Sequence, residues 1–175
     1  MSSLRKIDLQ LMSELIKNCR RSDRDLAKAI GTSQPTITRR RTKLEKERLI
    51  ESYTAIPNFA TLGFEIMAFS FYSWRHKTTG ARALKDADVF MERFHAFLAG
   101  HKNIIFTSNG HGFEMDTMMM SVHKSYADYV KLMKAVNNEY GNYLLKTNSF
   151  IVSLQDVVGR IMSFRHFADY ILKEL

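Results

Sequence analysis

Between Ser33 and Lys46 the chain reads SQPTITRRRTKLEK, a run of hydroxyls, one amide and five cations in which an acid appears only at Glu45. Hydroxyl and guanidinium groups bond phosphate oxygens, and a guanidinium can also take N7 and O6 of guanine together. An ordinary solvated helix face alternates its charges, so three consecutive arginines ask for another explanation. On a wheel of about 100° per residue, Ile37 and Leu44 point to a core. Thr38, Arg39, Thr42, Lys43 and Lys46 point away, with Thr36 and Arg40 on the flank. The chemistry this face suits is contact with double-stranded DNA through Ser33, Gln34, Thr36, Thr38, Arg39, Arg40, Thr42 and Lys43. Gln34, Thr36, Thr38 and Arg39, in the first turns, are nominated for base edges, and Lys43 for phosphate. Arg41 falls about 40° from Ile37, at the core edge, where its stem could snorkel. On that placement Arg41→Leu is expected to be tolerated or stabilising.

The elements that must hold this face are legible around it. Ile7, Leu11, Met12, Leu15 and Ile16 recur at helical spacing and predict a first helix ending near Asn18. Ser22 with Asp25 three residues later gives a capping-box-like start. Leu26, Ala29 and Ile30 are expected to face inward, and Gly31 suits the left-handed end of that helix. Ser33 follows as the next N-cap, with Pro35 tolerated in the first turn. Two helices joined across GTS make a helix-turn-helix unit, followed by LIESYTAI, which reads as a strand.

Charge supports the assignment. The 175 residues carry +8 overall, but residues 1–57 hold 13 Lys and Arg against 7 Asp and Glu, leaving 13 against 11 in the rest. A basic head on a nearly neutral body is the footprint of a nucleic-acid binder. One cysteine, Cys19, cannot form an internal disulfide, which suits a reducing compartment. MSSLRKIDLQ lacks the apolar core of a signal peptide, and no apolar run approaches the roughly 20 residues of a membrane span. A cytoplasmic protein with no membrane partner is expected.

The segment IDLQLMSELIKNCRRSDRDLAKAIGTSQPTITRRRTKLEKERLIESYTAI resembles the DNA-binding domain of the leucine-responsive/asparagine-synthesis (Lrp/AsnC, feast/famine) regulators. The resemblance is carried by Ile7-Asp8, Leu15, Arg21, Leu26-Ala27, Gly31, Ser33, Thr36, Arg40, Leu44-Glu45, Ile50 and Tyr53-Thr54. It implies a winged helix-turn-helix head and a transcriptional regulator acting as a homodimer or higher homo-oligomer. Two residues depart from the family pattern. Arg41 replaces an aliphatic residue, and Arg48 replaces the glycine that ends the recognition helix, so a helix that is longer or more loosely packed is expected.

Beyond the turn-rich PNFATLGFE, the body reads as strand EIMAFSFYSW, a helix from Arg82 to Leu98, and strands NIIFTSNG and DTMMMSV around the connection NGHGFEM. A helix carrying Tyr126, Tyr129, Val130, Met133, Val136 and Tyr140 follows, then strand SFIVSL. A last amphipathic segment carries Val158, Ile161, Met162, Arg165, Ala168, Ile171 and Leu172. The order β-α-β-β-α-β is ferredoxin-like, giving an α+β chain with an extra C-terminal helix. Expected boundaries are 1–57 for the helix-turn-helix domain, 58–65 for a linker, and 66–175 for a dimerisation and effector-binding domain. Alternation in the first strand sets Met67, Phe69 and Phe71 on the face opposite Ile66, Ala68 and Tyr72, so both sheet faces are apolar and one is expected to pair subunits.

The family resemblance extends to the body in topology and implies a small-molecule effector such as an amino acid near the second and third strands. There Asn109, Gly110, Gly112, Glu114 and Asp116 are the candidates. No zinc spacing, phosphate loop or dinucleotide fingerprint occurs, and no cofactor, metal or catalytic residue is nominated. Two other readings are open. The sirohaem decarboxylases of haem biosynthesis resemble the same regulators in both halves, and His101, His111, Arg75 and Lys102 could serve a tetrapyrrole's carboxylates. A stand-alone small-molecule-binding module without DNA binding is the third.

Overall fold

The computed structural model describes residues 4–75, 81–155 and 164–174. The chain divides into two compact units. The first contains α1 (Lys6–Lys17), α2 (Asp23–Ile30), α3 (Gln34–Lys46) and, from the far end of the sequence, α6 (Arg165–Glu174). Leu11, Leu15, Leu26, Ala27, Ile37 and Leu44 form its core. Ala27 takes the buried place expected of Ala29, which is exposed. A helix of eight residues presents only one narrow inward face, and Leu26 with Ala27 fills it.

Local signals set the helix ends. The Ser22 hydroxyl accepts from the Asp25 backbone N–H at 3.1 Å and donates to its carboxylate at 2.6 Å, which holds the Asp25 carboxyl below its usual range. Gly31 sits at φ 77 and closes α2. The expected lengthening of α3 does not occur. Arg48 itself adopts the left-handed conformation, φ 55, and the amides of Leu49 and Ile50 donate to the Leu44 carbonyl. Satisfying the last orphan carbonyls this way stops the helix without glycine, at a backbone cost. Residues 51–57 are irregular and exposed. The strand expected of LIESYTAI has no ladder partner among the described residues, and an isolated strand has nothing to pair with.

The second unit holds β1 (Ile66–Trp74), α4 (Ala81–Gly100), β2 (Ile104–Gly112), β3 (Met115–His123), α5 (Tyr126–Tyr140) and β4 (Leu144–Ser153). Its antiparallel sheet has the order β2-β3-β1-β4, the ferredoxin-like arrangement. Register places Ala68, Ser70 and Tyr72 beside Ser121, Met119 and Thr117 on one side and Ile151, Ser149 and Thr147 on the other. This face packs under the helices, where Tyr72, Met119, Leu132 and Val136 are buried and Trp74, Phe90, Phe94 and Tyr140 meet edge to face. The opposite face carries Met67, Phe69 and Phe71 with Met118, Met120, Val122, Phe150 and Val152. Phe59 and Phe64 cover one end of it. Farther along, Phe106 and Phe150 are exposed, Phe150 by 66%.

The C-terminal segment departs from the expected grouping. α6 packs on α1 with Ala168 and Ile171 buried, and Lys17 pairs with Asp169 at 3.0 Å. It belongs to the first unit, not to the body. Val158, Ile161 and Met162 of the last amphipathic segment lie outside the described residues. Among the described residues no helix is long and apolar enough to cross a membrane.

Candidate nucleic-acid interface

The three arginines of α3 part company. Arg39 is exposed and makes no ion pair among the described residues. Arg40 turns inward: its side chain is 12% exposed, and Nη1 lies 3.5 Å from the carboxylate of Asp8, a buried residue of α1. That placement takes Arg40 out of the exposed contact set, because a guanidinium facing a buried carboxylate is expensive to withdraw. Arg41 pairs with Asp23 of α2 at 3.0 Å and stands 6.0 Å over the Tyr53 ring. It does not simply snorkel. The tolerance expected of Arg41→Leu therefore falls, since leucine would leave a largely buried carboxylate without its partner. The helical wheel gave the directions of these side chains; it could not see acids on other helices.

Tyr53 completes this corner. Its hydroxyl donates to Glu45 Oε1 at 2.8 Å, and burial together with that carboxylate pushes its pKa up to about 12. On the outer face, Ser33, Gln34, Thr38, Arg39 and Thr42 are exposed, and Thr36 and Lys43 are half-buried. Lys43 lies 3.6 Å from Glu47. The Ser33 and Thr36 hydroxyls share a hydrogen bond at 2.8 Å, so Ser33 occupies the N-cap without its side chain capping a backbone amide. Thr38 donates to Asp23 Oδ2 at 2.6 Å. A short helix face thus offers one amide, one free guanidinium and several hydroxyls beside two half-buried arginine clamps. The arrangement can bond phosphates and reach base edges.

The proposed effector residues lie together at the far end of β2 and β3. The hairpin turns on Phe113 and Glu114, both at positive φ (53 and 59), while Gly110 and Gly112 lie within β2. Asp116 Oδ2 accepts from the Trp74 backbone amide at 2.8 Å and from the Ser73 hydroxyl at 3.2 Å. Glu114 faces Lys146 at 3.2 Å, and Asn109 accepts from Thr117 at 3.1 Å. These groups brace the sheet end. A cavity of about 450 Å³ lies elsewhere in this unit, between α5 and β4, bordered by Tyr126, Tyr129, Met133, Asn137, Thr147 and Ser149. Sequence reading missed it; its only trace was the hydroxyl pair Thr147 and Ser149, at strand spacing on one face of β4. Of the residues suggested for a tetrapyrrole, His101 and Lys102 follow α4 and lead into β2, whereas Arg75 and His111 lie at the opposite end of the sheet. No common site brings the four together.

Residues 6–45 match the model of the AsnC-type helix-turn-helix domain. The chain is similar to an uncharacterised helix-turn-helix-type transcriptional regulator of Pyrococcus abyssi, 41% identical over 64 residues, covering 37% of this chain and 43% of that protein. It is also similar to the leucine-responsive regulatory protein of Rhizobium meliloti, 33% identical over 72 residues, covering 41% and 46% respectively. The matches thus span less than half the length of these curated relatives. Among solved structures, LrpC of B. subtilis aligns at TM-score 0.67 with 22% identity, over 91% of this chain and 99% of that one. A Neisseria meningitidis transcriptional regulator in complex with L-Met aligns at TM-score 0.72 with 18% identity, over 94% and 99%. Residues 6–45 are thus an AsnC-type helix-turn-helix domain, and the chain along its length shares the fold of LrpC.

Proposed function

We propose that this protein is a sequence-specific, double-stranded-DNA-binding transcriptional regulator of the cytoplasm. The observation that carries the reading is α3 itself, which offers Gln34, Thr38, Arg39 and Thr42 to a partner while Arg40 and Arg41 anchor it to α1 and α2. Arg39 supplies the bidentate donor for a guanine, and Lys43 a phosphate contact. Ser33 and Thr36 stand at the helix start, where backbone amides favour phosphate. Arg40 acts by fixing the helix rather than by touching DNA.

The chain works as a homodimer or higher homo-oligomer. The apolar sheet face with exposed Phe106 and Phe150 supports pairing through the second unit, and two heads on one duplex gain affinity through effective concentration. A small effector, of the size of the L-Met bound in the Neisseria complex, fits the hydroxyl-lined cavity between α5 and β4 better than it fits the braced hairpin end.

Binding of genomic fragments selected by the full chain, measured across salt concentrations, tests the reading. A steep negative slope of log K on log salt is expected, because bound cations release counterions from the duplex. A slope near zero on every selected fragment refutes it.

A further inference from the structure

The hydrogen-bond polarity of the α3 face carries the DNA reading further. A threonine hydroxyl has one proton to give and two lone pairs. Thr38 is exposed in the second turn of α3, and its Oγ1 lies 2.6 Å from Asp23 Oδ2 and 3.2 Å from the Gln34 carbonyl oxygen. Both neighbours are acceptors, so the Thr38 proton is used inside the protein whichever one it serves. Asp23 is held in place to receive it. Its side chain is 18% exposed, Oδ1 is 3.0 Å from Arg41 Nη2, and that same Nη2 donates to the Arg21 carbonyl at 3.4 Å. One turn on, Thr42 repeats the pattern by donating to the Thr38 carbonyl at 3.0 Å.

We propose that Asp23, outside the recognition helix, is a positioning residue that makes Thr38 an acceptor-only reader of the major groove. Such a hydroxyl accepts from adenine N6 or cytosine N4 and sets its methyl against the thymine methyl. It is repelled by the O6 and N7 edge of guanine, which offers acceptors alone. Arg39, which can only donate, takes that edge instead. Adjacent residues thereby divide the groove's code by polarity. This inference rests on α3 being the DNA-contacting helix.

The test selects bound sequences from a random duplex library with the full chain and with Thr38→Val, Thr38→Ser and Asp23→Asn, recording each melting temperature. In the selected duplex, each adenine or cytosine is then replaced singly by purine or 2-pyrimidinone, which lack the exocyclic amino group. Comparing variants on the same duplexes cancels the analogue's effect on base pairing. One replacement is expected to weaken the unmodified protein about threefold to tenfold, the range of a single hydrogen bond. That loss persists in Thr38→Ser and disappears in Thr38→Val. Asp23→Asn lets an amide donate to Thr38 Oγ1 and leaves its proton only the longer bond to the Gln34 carbonyl at 3.2 Å, so discrimination against guanine at that position weakens. Should Asp23→Asn lose its melting transition, the Thr38 pair decides alone. A chain that selects a sequence but has no Thr38-dependent amino-group effect overturns this inference only. A chain that selects no sequence overturns the regulator reading and this inference with it.

Discussion

Arg48 holds a backbone conformation that its side chain disfavours, and Arg48→Gly should relieve it. At φ 55 an L-residue with a β-carbon stands about 1–2 kcal/mol above its right-handed alternatives. Glycine escapes that cost but gains freedom in the unfolded chain, returning about 0.4–1 kcal/mol. The Arg48 side chain is exposed and contributes little packing. The net expectation is a gain of about 0.5–1 kcal/mol for Arg48→Gly and almost none for Arg48→Ala, which keeps the β-carbon and removes the rest. The difference between the two isolates the backbone term. Urea melts followed by far-ultraviolet circular dichroism measure it, with unchanged slopes confirming that only stability has moved. If Arg48→Gly proves no more stable than Arg48→Ala, the left-handed turn does not carry the strain assigned to it.

Four further outcomes can be checked. The hairpin turn should prefer the residues its geometry suits, so Phe113→Asn with Glu114→Gly should raise stability by about 1 kcal/mol in the same melts. Arg41→Leu should destabilise the head by about 1–2 kcal/mol, and a melting temperature at or above the unmodified protein's would restore the sequence-based expectation. Phe150→Asp should shift light scattering of the full chain towards monomer, and an unchanged oligomer excludes that sheet face as the pairing surface. Burial holds His123 below its ordinary value of 6.5, partly offset by Asp128, so the folded protein binds this proton more weakly than the unfolded chain. Its contribution to stability is therefore complete above about pH 6.5 and declines as pH falls below it. His123→Gln should flatten denaturant melts across that window, and an unaltered pH slope would refute the assignment.

Periodicity and caps made most of the architecture readable. Leu11, Ile37 and Leu44 could be placed because a helix repeats its core face at known spacing, and alternation in β1 sorted Met67 and Phe69 from Ala68 and Tyr72. What stayed hidden depended on residues far apart in sequence. A wheel could set Arg40 on the flank and Arg41 at the core edge, but it contains neither Asp8 nor Asp23, the acids that hold them. The glycines at 110 and 112 suggested a wide turn, yet the chain turns one step later on two residues that carry side chains. The cavity between α5 and β4 arises from the angle between elements, which no periodicity encodes. The destination of α6 was equally invisible, since its amphipathic pattern says that it needs a surface and not which one.

That destination affects how the chain reaches its fold. The first unit is discontinuous: α1 leaves the ribosome before the sheet, but the helix that buries Ala168 and Ile171 against it emerges only after the entire sheet has been made. Closing so long a loop adds little to the equilibrium cost, because the entropic penalty grows only logarithmically with length. The effect on timing is larger. While the sheet is being made, α1 presents an uncovered flank to the surrounding solution, and completion of the unit must wait for a contact of very high sequence separation, the kind that slows folding. A fragment ending at Ile56 would keep the core of α1, α2 and α3 but would leave the flank of α1 that meets Ala168 and Ile171 uncovered.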